Sequence, residues 1–230
     1  GVLFRTVDGG KTWRPTPANM LPGIRSIRFF SPHVGVACGE RSWFFPNGQT
    51  KTKDGGLGWS VSGPGSGPHI VTAEIVKPNT TLSAGRDGWV AVTKSGRTKQ
   101  SQTPAIGDRT IRDIQMVDEL NGWLVGDGGL VLSTSNGGRS WQGLTQIPSC
   151  GLLDGIDWYS VATEGNHVWV VGAPGSVVLY SPDAGRSWKL LPTGQSLPLY
   201  AITFPTAQFG VASGALGTIL TTDNGGRTWT

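Results

Sequence analysis

The sequence predicts an all-β fold made of small four-stranded antiparallel sheets repeated along the chain. Three observations lead there. Gly and Pro together supply 51 of the 230 residues, while charged residues are only 15%. Short apolar runs recur between these punctuating residues, as in a chain of brief strands and tight turns. An eight-residue motif ending in Trp also returns at near-constant spacing, so the chain is a tandem repeat. The composition excludes helix bundles, coiled coils and disordered tails, which need Ala/Leu/Glu/Lys or dense charge. No run of ~20 apolar residues is present to span a membrane as a helix.

The motif reads Thr6-Val-Asp8-Gly-Gly-Lys-Thr-Trp13, then Thr52-Lys-Asp54-Gly-Gly-Leu-Gly-Trp59. It continues as Thr134-Ser-Asn136-Gly-Gly-Arg-Ser-Trp141, Ser181-Pro-Asp183-Ala-Gly-Arg-Ser-Trp188 and Thr222-Asp-Asn224-Gly-Gly-Arg-Thr-Trp229. The gap between Trp59 and Trp141 is twice the shortest of the others, and Thr93-Lys-Ser-Gly-Arg-Thr98 fills it as a decayed copy without its Trp. Six copies thus recur with a period of about 43 residues.

Each complete copy is flanked by three apolar runs, such as Ile111–Met116, Gly122–Gly126 and Gly129–Ser133, and followed by a fourth, such as Trp188–Leu191. Four short strands per period of this length make a β-propeller blade. The predicted units are a partial blade over 1–22 with its last two strands, then four-stranded blades over 23–68, 69–109, 110–155, 156–197 and 198–230. About six blades are therefore represented in a single propeller domain, read as a segment of a six- or seven-bladed ring. Residues 63–68, Gly-Pro-Gly-Ser-Gly-Pro, are a join between blades and match no phosphate loop.

The motif lies between the third and fourth strands and must turn the chain sharply. Paired Gly reach backbone angles that other residues adopt at a cost. Asp or Asn, with Thr or Ser, satisfies turn N–H groups through side-chain oxygens. Trp covers the hairpin and holds it to its surroundings. Asp8, Asp54, Asn136, Asp183 and Asn224, with their tryptophans, are thus structural. Calcium binding is disfavoured, because the later ligands of an EF-hand loop are missing.

Ser/Thr-x-Asp-x-Gly-x-Thr/Ser-Trp resembles the Asp-box, or bacterial neuraminidase repeat, of sialidases, some plant-cell-wall glucanases, sortilin-type receptors and photosystem II stability/assembly factors. Gly122–Trp141 and Phe209–Trp229 together with their flanks are similar to the blade unit of the assembly-factor family. That resemblance implies seven blades and a non-catalytic scaffold that holds a newly made membrane subunit. It also implies an extracytoplasmic location: periplasm, thylakoid lumen or secreted.

Net charge is +4, from 19 basic and 15 acidic residues. No Lys/Arg block forms the basic stripe of a nucleic-acid reader. Cys38 and Cys150 are too few for a disulfide framework and read as free thiols. No signal peptide is visible at the N-terminus.

In a propeller the first strand of each blade lines the channel, and its start emerges beside the turn between strands two and three. Aligning first strands places Arg25, Thr72, Arg112, Tyr159 and Tyr200 in one column, with Glu40-Arg41, Arg86-Asp87 and Asp127 in the neighbouring turns. Arg and Tyr are common interface hot spots, and Arg grips carboxylates with paired hydrogen bonds. Arg25, Arg112, Tyr159, Tyr200, Arg41 and Arg86 are thus the candidates for binding a protein or peptide partner. The plain alternative pairs Arg41 with Glu40 and Arg86 with Asp87.

An extracytoplasmic glycoside hydrolase, sialidase- or glucanase-like, or a carbohydrate-binding propeller, is the competing function. Its candidate carboxylates are Glu40, Asp87 and Asp127, because hydrolysis needs two carboxyl groups ~5–10 Å apart. A sialidase would also need an Arg triad, a Tyr–Glu pair and a Phe/Tyr-Arg-Ile-Pro segment; Phe4-Arg-Thr-Val7 is not one. No H-E-x-x-H, G-x-S-x-G or metal-ligand cluster occurs, and His33, His69 and His167 stand alone, so no cofactor or metal is expected.

Overall fold

The computed structural model describes residues 2–16, 21–61, 67–144 and 153–230. Cys150 and most of the 63–68 join lie outside the described residues. The chain divides into two compact units, Gly1–Lys99 and Gln100–Thr230. Regular structure consists of strands and two short 3-10 turns, with no α-helix among the described residues.

In the first unit β1 (Phe4–Arg5) and β2 (Arg14–Pro15) form a two-stranded fragment. Two meander blades follow: β3 (Ile24–Phe29), β4 (Gly35–Gly39), β5 (Gln49–Thr52) and β6 (Ser60–Val61), then β7 (Ile70–Lys77), β8 (Thr80–Gly85), β9 (Val90–Lys94) and β10 (Arg97–Gln100). The last strand, β10, ends one residue into the second unit. That unit holds β11 (Ile111–Met116), β12 (Gly122–Gly126), β13 (Val131–Thr134) and β14 (Gln142–Gly143). Next come β15 (Asp157–Glu164), β16 (His167–Ala173), β17 (Val177–Ser181) and β18 (Lys189–Pro192). Its last sheet is β19 (Leu199–Thr203), β20 (Gly210–Gly214) and β21 (Ile219–Thr222).

The described residues therefore make an all-β propeller chain of five antiparallel blades plus the two-stranded fragment. The final blade carries three strands where four are expected from sequence. Residues up to 230 add a reciprocal backbone pair between Thr221 and Thr230, at 2.7 and 2.9 Å. One such pair after the Trp229 hairpin is too short to count as a strand.

Within each unit, neighbouring blades bury apolar residues against one another, because one blade cannot cover its own faces. In the first unit Val36, Cys38, Ile70 and Ala73 form such a layer. Gln49 bridges the same two blades by donating to Ser83 Oγ at 2.9 Å. In the second unit one layer packs Trp123, Val125 and Val131 against Trp158, Val161 and Val170. Another packs Trp169, Val171 and Val178 against Leu199, Ile202 and Phe204.

The motif hairpins have the predicted chemistry. In the first, Thr6 Oγ1 accepts from Gly10 N–H at 2.9 Å and donates to Asp8 at 2.7 Å. Asp8 in turn accepts from Thr12 N–H at 2.9 Å, and Trp13 donates to the Gly10 carbonyl at 3.1 Å. The hydrogen bonds of Thr52, Asp54 and Trp59 repeat this pattern, as do those of Ser181, Asp183 and Trp188. The decayed copy is a tighter turn: Ser95 and Gly96 both take positive φ, 49° and 81°, as a two-residue hairpin requires.

The tryptophans are less uniform than the motif implies. Trp188 is buried, whereas Trp13 is 60% exposed. In the second unit the blade-to-blade cover comes from tryptophans of the second strands. Trp123 of β12 meets Trp188 edge-on at 5.4 Å. Trp169 of β16 donates to the Gly225 carbonyl at 2.9 Å and stacks on Phe204 at 3.7 Å. Gly185 keeps room for Trp123, since a Cβ there would lie 2.2 Å from the indole.

Candidate partner-binding site

The opposite end of each blade, where strands two and three turn, is built on a recurrent bulge. The first strand slips register between Ile24 and Ser26, Ile70 and Thr72, Ile111 and Asp113, Trp158 and Ser160, and Leu199 and Ala201. One extra residue is left over each time, and a bulge re-aims its side chain. Those residues are Arg25, Val71, Arg112, Tyr159 and Tyr200. The alignment that put Thr72 in this column is corrected by one position: Val71 occupies it. Thr72 falls in the next column with Ser26, Asp113, Ser160 and Ala201, where it is buried. Sequence alignment missed this because a bulge changes the strand's period of two at a single residue.

In the second unit the bulge residues of successive blades touch. Arg112 Nε donates to Asp127 Oδ1 in a half-buried ion pair. The guanidinium lies 4.5 Å above the Tyr159 ring. Tyr159 meets Tyr200 edge-on at 5.3 Å and 89°. The result is a continuous row, Asp127–Arg112–Tyr159–Tyr200, with Tyr200 49% exposed at its end. The Asp127 turn is fixed by Asp127 N–H on the Thr110 carbonyl and by Gly128 N–H on Asp157 Oδ1, at 3.0 and 2.9 Å.

Beneath the row, Asp113 is buried and accepts from Ser160 Oγ at 3.0 Å and Val161 N–H at 3.1 Å. Ser160 Oγ also accepts from Ile202 N–H at 3.4 Å, so three blades are tied below the surface residues. Sequence reading did not find Asp113; its place between Arg112 and Ile114, one residue past the aligned column, was the available signal.

In the first unit Arg25 pairs with Glu40 at 3.1 Å, both exposed. Arg41 donates to the Pro46 carbonyl at 2.5 Å and does not pair with Glu40. Among the described residues no ion pair joins Arg86 to Asp87. His69 is held below its ordinary pKa, first by burial and then by Arg86, Arg41 and Arg25. Arg86 N–H bonds the His69 carbonyl at 3.1 Å, and the residue after His69, Ile70, donates its N–H to the Asn47 carbonyl at the end of the segment that carries Arg41, at 3.0 Å. The six candidates thus form two groups, one in each unit.

The glycosidase carboxylates are not arranged as an acid–base pair within either unit's described contacts. Glu40 and Asp127 are each tied to an Arg. Asp8, Asp54, Asp118 and Asp183, all at the motif end, are held low by hydrogen bonds from their own turns. A general acid needs the reverse shift. Cys38 is buried and its thiol is pushed up to about 12 by desolvation, so it is protonated packing.

The profile of the family described as Photosynthesis system II assembly factor YCF48 matches residues 93–230, more than half of the chain. The chain belongs to this family. The photosystem II assembly lipoprotein Ycf48 of Prochlorococcus marinus (strain MIT 9313) is 32% identical over 219 residues, which cover 93% of this chain and 50% of that protein. This chain spans half or less of the length of the curated Ycf48 relatives it matches. Among solved structures, YCF48 from Cyanidioschyzon merolae aligns with TM-score 0.71 and 17% identity, covering 100% of this chain and 77% of that one. A structure of YCF48 bound to D1 peptide aligns with TM-score 0.60 and 15% identity, covering 94% and 82%. At these identities the structural likeness establishes the propeller fold.

Proposed function

We propose that this chain is the non-catalytic core of a photosystem II assembly scaffold, capturing a peptide segment of a partner protein at the bulge end of its blades. The observation that supports it is the Asp127–Arg112–Tyr159–Tyr200 row. It presents a guanidinium and two aromatic rings held by their neighbours, so little side-chain freedom is lost on binding. Arg25, Arg41 and Arg86 supply the same chemistry in the first unit. An arginine suits a carboxylate-bearing segment through paired hydrogen bonds. Family membership and the relative bound to D1 peptide support a membrane-protein subunit as the source of that segment. In this reading the chain is a segment of a six- or seven-bladed ring, within a single propeller domain. It works outside the cytoplasm, in keeping with relatives described as a lipoprotein and a chloroplastic factor. Among the described residues no helix is long and apolar enough to cross a membrane.

The test is capture of a synthetic D1 peptide by the 230-residue chain and by its Arg25→Glu/Arg112→Glu variant. Capture by the parent and loss in the folded variant is expected. Undiminished capture by the variant would overturn the reading. Turnover of aryl glycosides that disappears on Asp87→Asn or Asp127→Asn would instead favour the hydrolase.

A further inference from the structure

The connection between β4 and β5 departs from the pattern of the other blades. In three blades the glycine ending the second strand donates to a carbonyl four residues on: Gly85 to Trp89, Gly126 to Leu130 and Gly214 to Thr218. In the β3–β6 blade the same bond runs from Gly39 to Gly48, nine residues on, at 2.8 Å. Five extra residues are accommodated in Glu40–Asn47. At their tip Trp43 is 92% and Phe44 61% exposed, while Phe45 is turned inward and buried.

This loop is closely bonded. Ser42 and Phe45 exchange both backbone hydrogen bonds at 3.1 Å, and Gly48 N–H bonds the Phe45 carbonyl at 3.0 Å. Arg41 clasps the Pro46 carbonyl, and Asn47 Oδ1 accepts from Gln49 N–H at 3.1 Å. The two rings are thus held out on a fixed hairpin. Exposing two adjacent aromatic side chains to water is unfavourable unless something covers them.

We propose that the Trp43–Phe44 tip docks on an anionic lipid surface, with Arg41 and Arg86 meeting the headgroups. Trp favours the membrane–water interface, where its ring is buried and its N–H stays hydrated. The surroundings are cationic: Arg25, Arg41 and Arg86 stand against Glu40 and Asp87, and Glu40 is committed to Arg25. Arg41 and Arg86 have no carboxylate partner among the described residues, and Arg41 spends only its Nε–H on the Pro46 carbonyl, which leaves guanidinium N–H groups for phosphate. A projecting tip also suits insertion between headgroups better than a protein hot spot, which fills a pocket inside a broad, flat, water-excluding contact. The tip belongs to the first unit and the Arg112–Tyr159–Tyr200 row to the second, and the inference does not depend on that row binding a peptide.

The experiment is flotation of the 230-residue chain with vesicles of phosphatidylcholine alone or mixed with phosphatidylglycerol. Binding is expected to the mixed vesicles, and to fall by about tenfold or more in Trp43→Ser/Phe44→Ser. It is also expected to weaken at roughly 1 M salt, where charge screening acts within about 3 Å. The altered positions are exposed, so folding is retained, and D1 peptide capture should be unchanged in that variant. Failure of the parent to float, equal floating of the variant, or equal binding to both vesicle types would each overturn the proposal. Loss of peptide capture in Trp43→Ser/Phe44→Ser without vesicle binding by the parent would assign the tip to a protein partner and overturn it too.

Discussion

Ser101 Oγ donates to the carbonyl of Gly138 at 2.5 Å, occupying the atom that the motif's own tryptophan uses in the other complete hairpins. Trp13, Trp59, Trp188 and Trp229 each donate to the corresponding glycine carbonyl, at 3.1 to 3.2 Å. Trp141 Nε1 is buried with no hydrogen-bond partner. The segment after β10 causes this: Gln102 lies parallel to Ser140, donates to the Arg139 carbonyl and accepts from Trp141 N–H.

Ser101→Ala should therefore free the Gly138 carbonyl for Trp141. One hydrogen bond is lost and another gained, so stability should change by less than about 1 kcal/mol. The indole N–H resonance of Trp141 should move downfield toward those of the bonded tryptophans. An unchanged resonance would show that Ser101 does not control that carbonyl.

The glycine at or next to the end of each second strand sits against the chain entering the first strand. A Cβ on Gly126 would lie 2.2 Å from the Thr110 carbonyl oxygen, and on Gly172 2.1 Å from that of Asp157. Backbone on both sides cannot yield without breaking the ladder. Gly172→Ala should cost about 2–3 kcal/mol in urea unfolding, in the range of overpacked cores. Gly155→Ala, with nothing within 4 Å of the added Cβ, is the control and should be near neutral.

Acid should act unequally on the hairpins. The Asp8 carboxyl is held at about 2, below an ordinary 3.8, chiefly by the hydroxyl and N–H of Thr12 and then by Thr6. A carboxyl lowered on folding stabilises the hairpin above its unfolded pKa, and that contribution is lost as pH falls through the folded value. The Asp8 hairpin should thus loosen between about pH 4 and pH 2. Asn136 and Asn224 make the equivalent bonds without a titrating group, donating to Ser140 and Thr228 at 2.8 and 2.7 Å. Amide exchange should rise at Thr12 over that range, while Ser140 and Thr228 keep their protection.

Asp127 occupies one flank of the Arg112 guanidinium. Asp127→Asn should free it and tighten capture of a carboxylate-bearing peptide by about two- to tenfold, because the partner no longer competes with an internal anion. Calorimetric titration of parent and variant measures the difference. Weaker binding would mean that the pair serves only to orient Arg112.

Much of the architecture was legible because the repeat is local. Motif hairpins, strand order within a blade and the closing glycines follow from turn chemistry and period-two patterning over some forty residues. The motif's residue types are those that bond turn N–H groups, and Asp8, Asp54 and Asp183 accept from Thr12, Gly58 and Ser187 N–H of their own hairpins.

The candidate site was only partly legible. The residue types Arg112, Tyr159 and Tyr200 could be picked from aligned first strands, but Val71 was misplaced as Thr72 by one bulge. The pairing of Glu40 with Arg25, in place of Arg41, depends on how two segments fifteen residues apart meet across a strand pair. The exposure of Trp43 looked in sequence like any apolar residue near a strand.

By itself, then, the sequence determined the all-β class, the blade as the repeating unit and the chemistry of each hairpin, since these arise from contacts within one period. Tertiary structure alone decided which side chains the bulges re-aim, which carbonyl Trp141 forfeits to Ser101, and which aromatic rings stand in water. Those outcomes depend on atoms from different strands competing for the same space and the same hydrogen-bond partners, and no spacing along the chain records who wins.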